Sequence, residues 1–270
     1  MPSPQETAFA DQAIATMDAL ERESMAGWPV HPPEEVHIGP DLIRLITGFP
    51  IPFFNTVAQA RFAPDDADAA IATTLDRFRA RAVPMLWYVG PGSAPPDLGE
   101  RLVAHGLTPT DDSPAMAREL GAMPPDDDLP PGLRVARVAD PATFARFGDI
   151  VGAGFGIPPE VAAKLVEIFG RVGFGPEQPW RHDLGCLDGE PVAAASRYLS
   201  EDAVGIFNVV TREDVRGRGI GAAMTRVILH EAAAGGRRLA VLTSSPDGEP
   251  LYRKLGFVEI GRVRTYLGPG

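Results

Sequence analysis

The chain has 270 residues, 44% hydrophobic and 23% charged, with a formal net charge of −11 and a pI near 4.9. That length allows one large domain or two ordinary ones around a buried core, and the acidic balance argues against nucleic acid or anionic membranes as partners. The single cysteine, Cys186, excludes an internal disulfide and a cysteine-based metal cluster, no metal site is expected, and no run of 18 apolar residues predicts a membrane span.

Phe9, Ile14, Met17 and Leu20 recur at helical spacing and predict an amphipathic helix over Gln5 to Met25. Its acids, and the lack of a basic leader, predict no secretory signal and a cytoplasmic location. Gly27 to Pro33 breaks that helix, and Val36 to Ala63 reads as short strands around Gly39-Pro40 and Gly48-Phe49-Pro50. Pro64-Asp65-Asp66 leads into a helix to about Arg81 with Ile71, Leu75 and Phe78 on one face. Val83 to Val89 is a buried strand, Asp97 to His105 a helix, and two strands are expected near Leu107 and Met116. Pro124-Pro125-Asp126-Asp127-Asp128-Leu129-Pro130-Pro131 is a charged, proline-stiffened linker. The predicted domains are therefore 1–123 and 132–270, joined by 124–131.

Beyond the linker, Leu133 to Val138 is a strand, and Pro141 to Gly152 and Pro158 to Phe169 are helices. Trp180 to Leu187 and Pro191 to Leu199 form a hairpin about Asp188-Gly189. A strand from Ile206 to Thr211, a polar loop, a helix to about Ala234, a strand over Leu239 to Thr243, the segment Leu251 to Phe257 and a last strand over Arg262 to Leu267 follow. The first half echoes the second: Pro96 to Leu107 aligns loosely with Glu249 to Phe257, each running from a proline-bearing loop through a short helix to glycine and an apolar residue.

The loop before the long helix carries Arg216, Gly217, Arg218, Gly219, Ile220 and Gly221. Glycines admit a ligand close to backbone N–H groups, and a helix N-terminus adds unpaired donors and a positive dipole end. The pattern reads as a pyrophosphate cradle. A Walker loop is excluded, because neither Lys164 nor Lys254 stands beside the glycines. Gly217, Gly219 and Ala222 satisfy a dinucleotide fingerprint, with Arg237 and Arg238 as candidates for a 2′-phosphate. Against that reading, Arg212 to Val215 separates the strand from the first glycine.

The run Arg216 to Gly221 resembles the R/Q-x-x-G-x-G/A signature of the GCN5-related N-acetyltransferases, the GNAT family. Leu251-Tyr252-Arg253-Lys254-Leu255-Gly256-Phe257 is similar to that family's closing segment, in the family's order. The resemblance implies an α/β (α+β) GNAT fold, a mixed twisted sheet with helices on both faces. With the internal echo it implies two tandem GNAT-like domains, the first degenerate because Phe62 to Asp68 is acidic where the glycines belong. It further implies acetyl-CoA as acyl donor. Val209, Val210 and Thr211 would contact it through backbone, Arg216, Gly217, Arg218, Gly219, Ile220 and Gly221 would hold its pyrophosphate, and Ser245 would sit in a slot where relatives carry asparagine. Tyr252 matches the family tyrosine that donates a proton toward the departing thiolate. Glu201, Asp202, Glu213 and His182 are candidate bases; Asn208 is a candidate for orienting the acceptor, and Trp87, Tyr88 and Phe155 for shaping its pocket. The implied reaction is acetyl transfer to a primary amine of a small molecule or peptide, a cationic acceptor being suggested by the acidic charge. The enzyme would be a monomer or homodimer. A non-catalytic CoA-binding scaffold and an NADP-linked oxidoreductase are the rival readings.

Overall fold

The computed structural model describes residues 3–27, 35–121 and 129–268. These divide into two compact units: one takes the chain up to Met116 together with Thr243–Glu249 and the segment from Glu259, the other takes Ala117–Leu242 and Pro250–Val258. Residues 243–249 and the terminal segment were expected in the second domain and belong instead with the first. Hydrogen bonding is the reason. The last strand, β11 (Val258–Gly268), pairs antiparallel with β4 (Met85–Val89), from Arg264 opposite Val89 to Gly268 opposite Met85. Of the expected linker, residues 124–128 lie outside the described residues.

The first unit opens with α1 (Pro4–Ala26), where the Ser3 hydroxyl accepts from the Glu6 N–H and the Glu6 carboxylate accepts from the Ser3 N–H. Strands β1 (Glu35–Ile38), β2 (Ile43–Ile46) and β3 (Asn55–Ala58) pair antiparallel in turn. Helix α2 (Ala67–Arg79) then crosses to β4, which pairs parallel with β3. Helix α3 (Leu98–Ala104) leads into β5, Thr108–Glu119. Ile71, Leu75 and Phe78 of α2, with Leu98 and Leu102 of α3, close on Trp87 and Tyr266. Trp87, a candidate pocket residue by sequence, is fully buried in that core.

In the second unit β6 (Leu133–Arg137) is followed by α4 (Pro141–Gly154) and α5 (Pro159–Phe169). Then come β7 (Trp180–Leu187), β8 (Glu190–Leu199) and β9 (Ala203–Thr211), all antiparallel to their neighbours in the order β6-β7-β8-β9. Asp188 and Gly189 both take positive φ (51° and 90°) in the β7–β8 turn, as a tight hairpin requires. Helix α6 (Ile220–Ala234) leads to β10 (Leu239–Thr243), parallel to β9, and α7 (Glu249–Lys254) leads to β11.

Alternation along β7 and β8 separates two faces. His182 stacks among Phe144 and Phe147 of α4, whereas Asp183 and Arg197 face the other way, toward Glu231 of α6. Arg197 is 1% exposed, and its guanidinium bonds Asp183 at 3.2 Å and Glu231 at 2.8 Å, with Arg137 of β6 on the same two carboxylates. This buried network ties β6, β7, β8 and α6 together.

The two strands expected near Leu107 and Met116 are one, and the last strand starts four residues earlier than Arg262. Asp111-Asp112-Ser113-Pro114 reads as a turn, yet β5 runs through it because Arg262 holds Asp112 at 2.6 Å and Thr110 Oγ1 donates to the Thr265 carbonyl at 3.2 Å. Likewise β11 runs unbroken through Gly261. Among the described residues no helix is long and apolar enough to cross a membrane.

Gly154, the last residue of α4, lies so close to β9 that a Cβ there would overlap the Val210 Cγ1 methyl. Gly154→Ala is expected to cost about 1–3 kcal/mol in urea denaturation through overpacking. An unchanged midpoint would show that α4 does not seat on Val210.

Candidate functional site

The site is built on the parting of two parallel strands. Leu239, Ala240 and Val241 of β10 pair with Ala203, Val204 and Gly205 of β9, while β9 continues to Thr211. On its other edge β9 keeps its bonds to β8 but slips by a residue: Ser196 faces Phe207 and Ala194 faces Val210. That is a β-bulge, which bends a strand and raises its local twist. Asn208 sits in it at φ 52°, a left-handed conformation that asparagine tolerates better than most residues. The bend turns Val209, Val210 and Thr211 away from β10 and opens a flank of backbone.

At the end of that flank the chain makes a tight approach to α6. The Arg212 N–H donates to Val192 O at 2.8 Å, Glu213–Val215 forms a single 3-10 turn, and Arg216 Nε donates to Thr211 O at 3.1 Å. Gly217 and Gly219 follow at φ 77° and 76°. A Cβ at Gly217 would meet nothing within 4 Å, so the glycine serves conformation and access, not packing. Helix α6 starts with no side-chain cap and no acid in its first turn. Its N–H groups and dipole face an exposed loop that carries Arg216 and Arg218, an arrangement suited to a diphosphate.

Gly221 brings α7 to this place: a Cβ on it would lie 3.5 Å from Leu251 Cδ1 and 3.5 Å from Thr211 Oγ1. The next residue, Tyr252, is buried edge-on against Phe257, and that burial pushes its phenol up to about 12. Arg216 to Gly221, Val209 to Thr211 and the Tyr252 helix are thus brought together. Ser245 lies in the 243–249 segment of the first unit, where its Oγ accepts from the Gly248 N–H at 3.2 Å.

The candidate bases separate. Glu201 and Asp202 occupy the β8–β9 turn, at the far end of β9 from Thr211, and Asp202 pairs with Arg238 at 3.0 Å. Arg237 donates to Ser200 O in the same turn, so both arginines needed for a 2′-phosphate reading stand away from the glycine loop. His182 is enclosed by Phe144, Phe147 and Trp180. Burial first, then Arg137 and Arg197, hold its imidazole down to about 4. Its Nδ1 is 2.9 Å from Ser196 Oγ, and that Oγ accepts from Asn208 Nδ2 at 3.2 Å. Sequence reasoning missed Ser196: a serine in an apolar strand carries no signal until the bulge puts Asn208 over it. A cavity of about 270 Å³ lined by Phe174, Trp180 and His182 lies at the β6–β7 edge, across the sheet from the open flank of β9.

The first unit repeats this wiring with a different outcome. Its parallel pair β3 and β4 is joined by α2, and Gln59, just past β3, also takes φ 52°. There Gln59 Nε2 donates to Asp18 O and Glu21 Oε2 of α1 at 2.8 and 2.7 Å. The backbone beyond it is closed by Ala94, whose N–H bonds Ala60 O and whose carbonyl accepts from Phe62 N–H. Asp68 occupies the first turn of α2, hydrogen-bonded to His105 and paired with Arg101. A flank without free backbone and an acidic helix start do not suit an acyl-CoA.

The acetyltransferase (GNAT) domain family matches residues 181–259. Among solved structures, the chain is similar to a GCN5-related N-acetyltransferase from Kribbella flavida, with 24% identity over 97% of this chain and 95% of that one and a TM-score of 0.71. A GCN5-related N-acetyltransferase from Sphaerobacter thermophilus is similar at 19% identity, with 99% and 94% covered and a TM-score of 0.64. A tandem GNAT protein from the clavulanic acid biosynthesis pathway is similar at 15% identity, with 96% and 95% covered and a TM-score of 0.58. No curated protein matches the sequence.

Because the folded His182 is held below its unfolded value, the folded state binds fewer protons than the unfolded chain between about pH 6.5 and 4, and stability falls as pH drops through that window. The urea midpoint of His182→Asn is expected to fall less steeply there than that of the wild type. Parallel acid limbs would show that the ring is not held neutral.

Proposed function

We propose that this chain, whose residues 181–259 match the acetyltransferase (GNAT) domain family, transfers the acetyl group of acetyl-CoA to a primary amine by direct attack in a ternary complex. The observation that carries this reading is the parted β9, whose open flank ends on an uncapped helix start. The pantetheine amides hydrogen-bond along the flank at Val209 to Thr211, and the diphosphate rests on the N–H groups from Gly217 to Gly221 beside Arg216 and Arg218. The N–H groups of Val210 and Thr211 face the thioester oxygen. One such donor is worth about 2.7–4 kcal/mol in acyl-transfer enzymes.

The amine nitrogen bonds to the thioester carbon, its proton leaves to water in the open cleft, and the C–S bond breaks. Tyr252 meets the departing sulfur. Burial keeps its phenol protonated throughout the neutral range, so it serves as a hydrogen-bond donor that stabilises the departing thiolate and keeps its own proton, while the thiolate leaves to solvent and is protonated there. The acceptor is a small molecule or peptide, and neither nucleic acid nor membrane takes part.

Calorimetric titration with acetyl-CoA is expected to show micromolar binding that Gly219→Glu weakens by about tenfold or more, since the variant strains a left-handed residue and sets a carboxylate at the helix start. Silence of the wild type toward acetyl-CoA and longer acyl-CoAs would falsify the transferase reading. Tyr252→Phe is expected to lower kcat by about 10- to 100-fold with acetyl-CoA affinity unchanged. The wild-type pH–rate profile should show no alkaline loss from this tyrosine below pH 10, because its proton is held to about 12; an alkaline limb near pH 9 that Tyr252→Phe abolishes would contradict its assignment.

A further inference from the structure

The transferase reading leaves the acceptor unspecified, and the α4 face of the bulge bears on it. Ser196 is fully buried and lies between His182 and Asn208. A serine hydroxyl has one proton to give and lone pairs to receive. Its Oγ accepts from Asn208 Nδ2 and lies 2.9 Å from Nδ1 of the His182 ring, to which it gives its own proton when the ring carries its hydrogen on Nε2. That ring is neutral at working pH, because burial and the nearby Arg137 and Arg197 keep it so. The bond from Asn208 Nδ2 to Ser196 Oγ turns the amide nitrogen inward. With Nδ2 committed downward, Oδ1 is left as an acceptor without a partner among the described residues, on an exposed side chain.

Beside Asn208, Phe207 is 37% exposed, unusual for a phenylalanine in a strand. Its ring centroid is 5.2 Å from that of Trp180, which meets Tyr198 edge-on at 5.3 Å. An aromatic floor thus adjoins a single outward carbonyl, next to the backbone expected to hold the thioester. Phe207, Trp180, Tyr198, His182, Ser196 and Asn208 carry no charge between them near neutral pH.

We propose that this corner is the acceptor subsite: Asn208 Oδ1 takes a hydrogen bond from the attacking primary amine, and Phe207 and Trp180 carry an aryl or alkyl group attached to it. The proposal rests on the transferase reading for its chemistry and departs from the polycationic acceptor suggested by net charge. A polyamine's further ammonium groups find no carboxylate in this set, whereas an apolar substituent gains burial and ring contact. Ser196 and His182 are positioning residues, touching the acceptor only through Asn208.

The test compares 2-phenylethylamine with spermidine as acceptors for the full-length protein. The wild type is expected to show at least about tenfold higher kcat/KM for 2-phenylethylamine. Phe207→Ala should raise its KM by about tenfold and Phe207→Leu by less, in line with lost ring contact. Asn208→Gly, which accepts the left-handed backbone and removes the amide, should lower kcat by about tenfold with little change in KM. Acetyl-CoA affinity should remain within about twofold in all three. Preference for spermidine, or a KM for 2-phenylethylamine indifferent to Phe207→Ala, overturns the proposal. Should acetyl-CoA itself fail to bind, the transferase reading falls separately. Quenching of Trp180 fluorescence by 2-phenylethylamine in the free protein, with Trp180→Phe as background, then supports the subsite if it saturates and rejects it if it does not.

Discussion

Strand β9 cannot follow β10 beyond Gly205 because it carries one residue more than β8 allows. The extra residue is absorbed between Ser196 and Ala194, with Asn208 in the left-handed region. A flat, continuous ladder would satisfy more backbone hydrogen bonds within the protein, and the bulge gives those up on one flank. Everything proposed for the site depends on that local choice. The open backbone, the direction in which Thr211 delivers the chain to the glycines, and the exposure of Phe207 beside Asn208 all follow from one slipped register.

The two units show how the same wiring can be opened or closed. Each has a parallel strand pair joined by a helix and a residue at φ 52° past the point of pairing. In the first, the side chain at that point is Gln59, which reaches α1, and Ala94 takes up the backbone groups that would otherwise be free. In the second, the side chain is Asn208, shorter by one methylene, and it turns down onto Ser196. Helix starts differ in the same sense. Asp68 fills the first turn of α2 with negative charge, whereas α6 begins on glycines. A dipole end is an anion site only where nothing negative already stands there.

Much of this was legible in the residues. Three alternating glycines after an arginine, ahead of a helical run, specify an accessible, left-handed backbone turn at a helix start by steric freedom alone. The alternation of Trp180 to Leu199 about Asp188-Gly189 specifies a hairpin by local backbone preference. The long strands β5 and β11 were not legible at full length, because Asp111 to Pro114 and Gly261 have local turn chemistry that pairing elsewhere overrides. Thr243–Glu249 and the terminal strand could not be assigned to the first unit from sequence order either. Which strand β11 joins is settled by complementary edges, here Met85 to Val89, that lie far away along the chain.

What the sequence determined by itself is whatever depends on neighbours within a few residues: helix faces, turn types, the glycine turn before α6 and the acidic helix start in the first half. Tertiary structure decided the rest. It buried Tyr252 and so raised its phenol, enclosed His182 among rings and so kept it neutral, removed Glu201 and Asp202 to the far end of β9, and set Ser196 beneath Asn208. Solvent exclusion and register are properties of the packed whole, because burial sums over residues from distant parts of the chain and a bulge exists only relative to its partner strand.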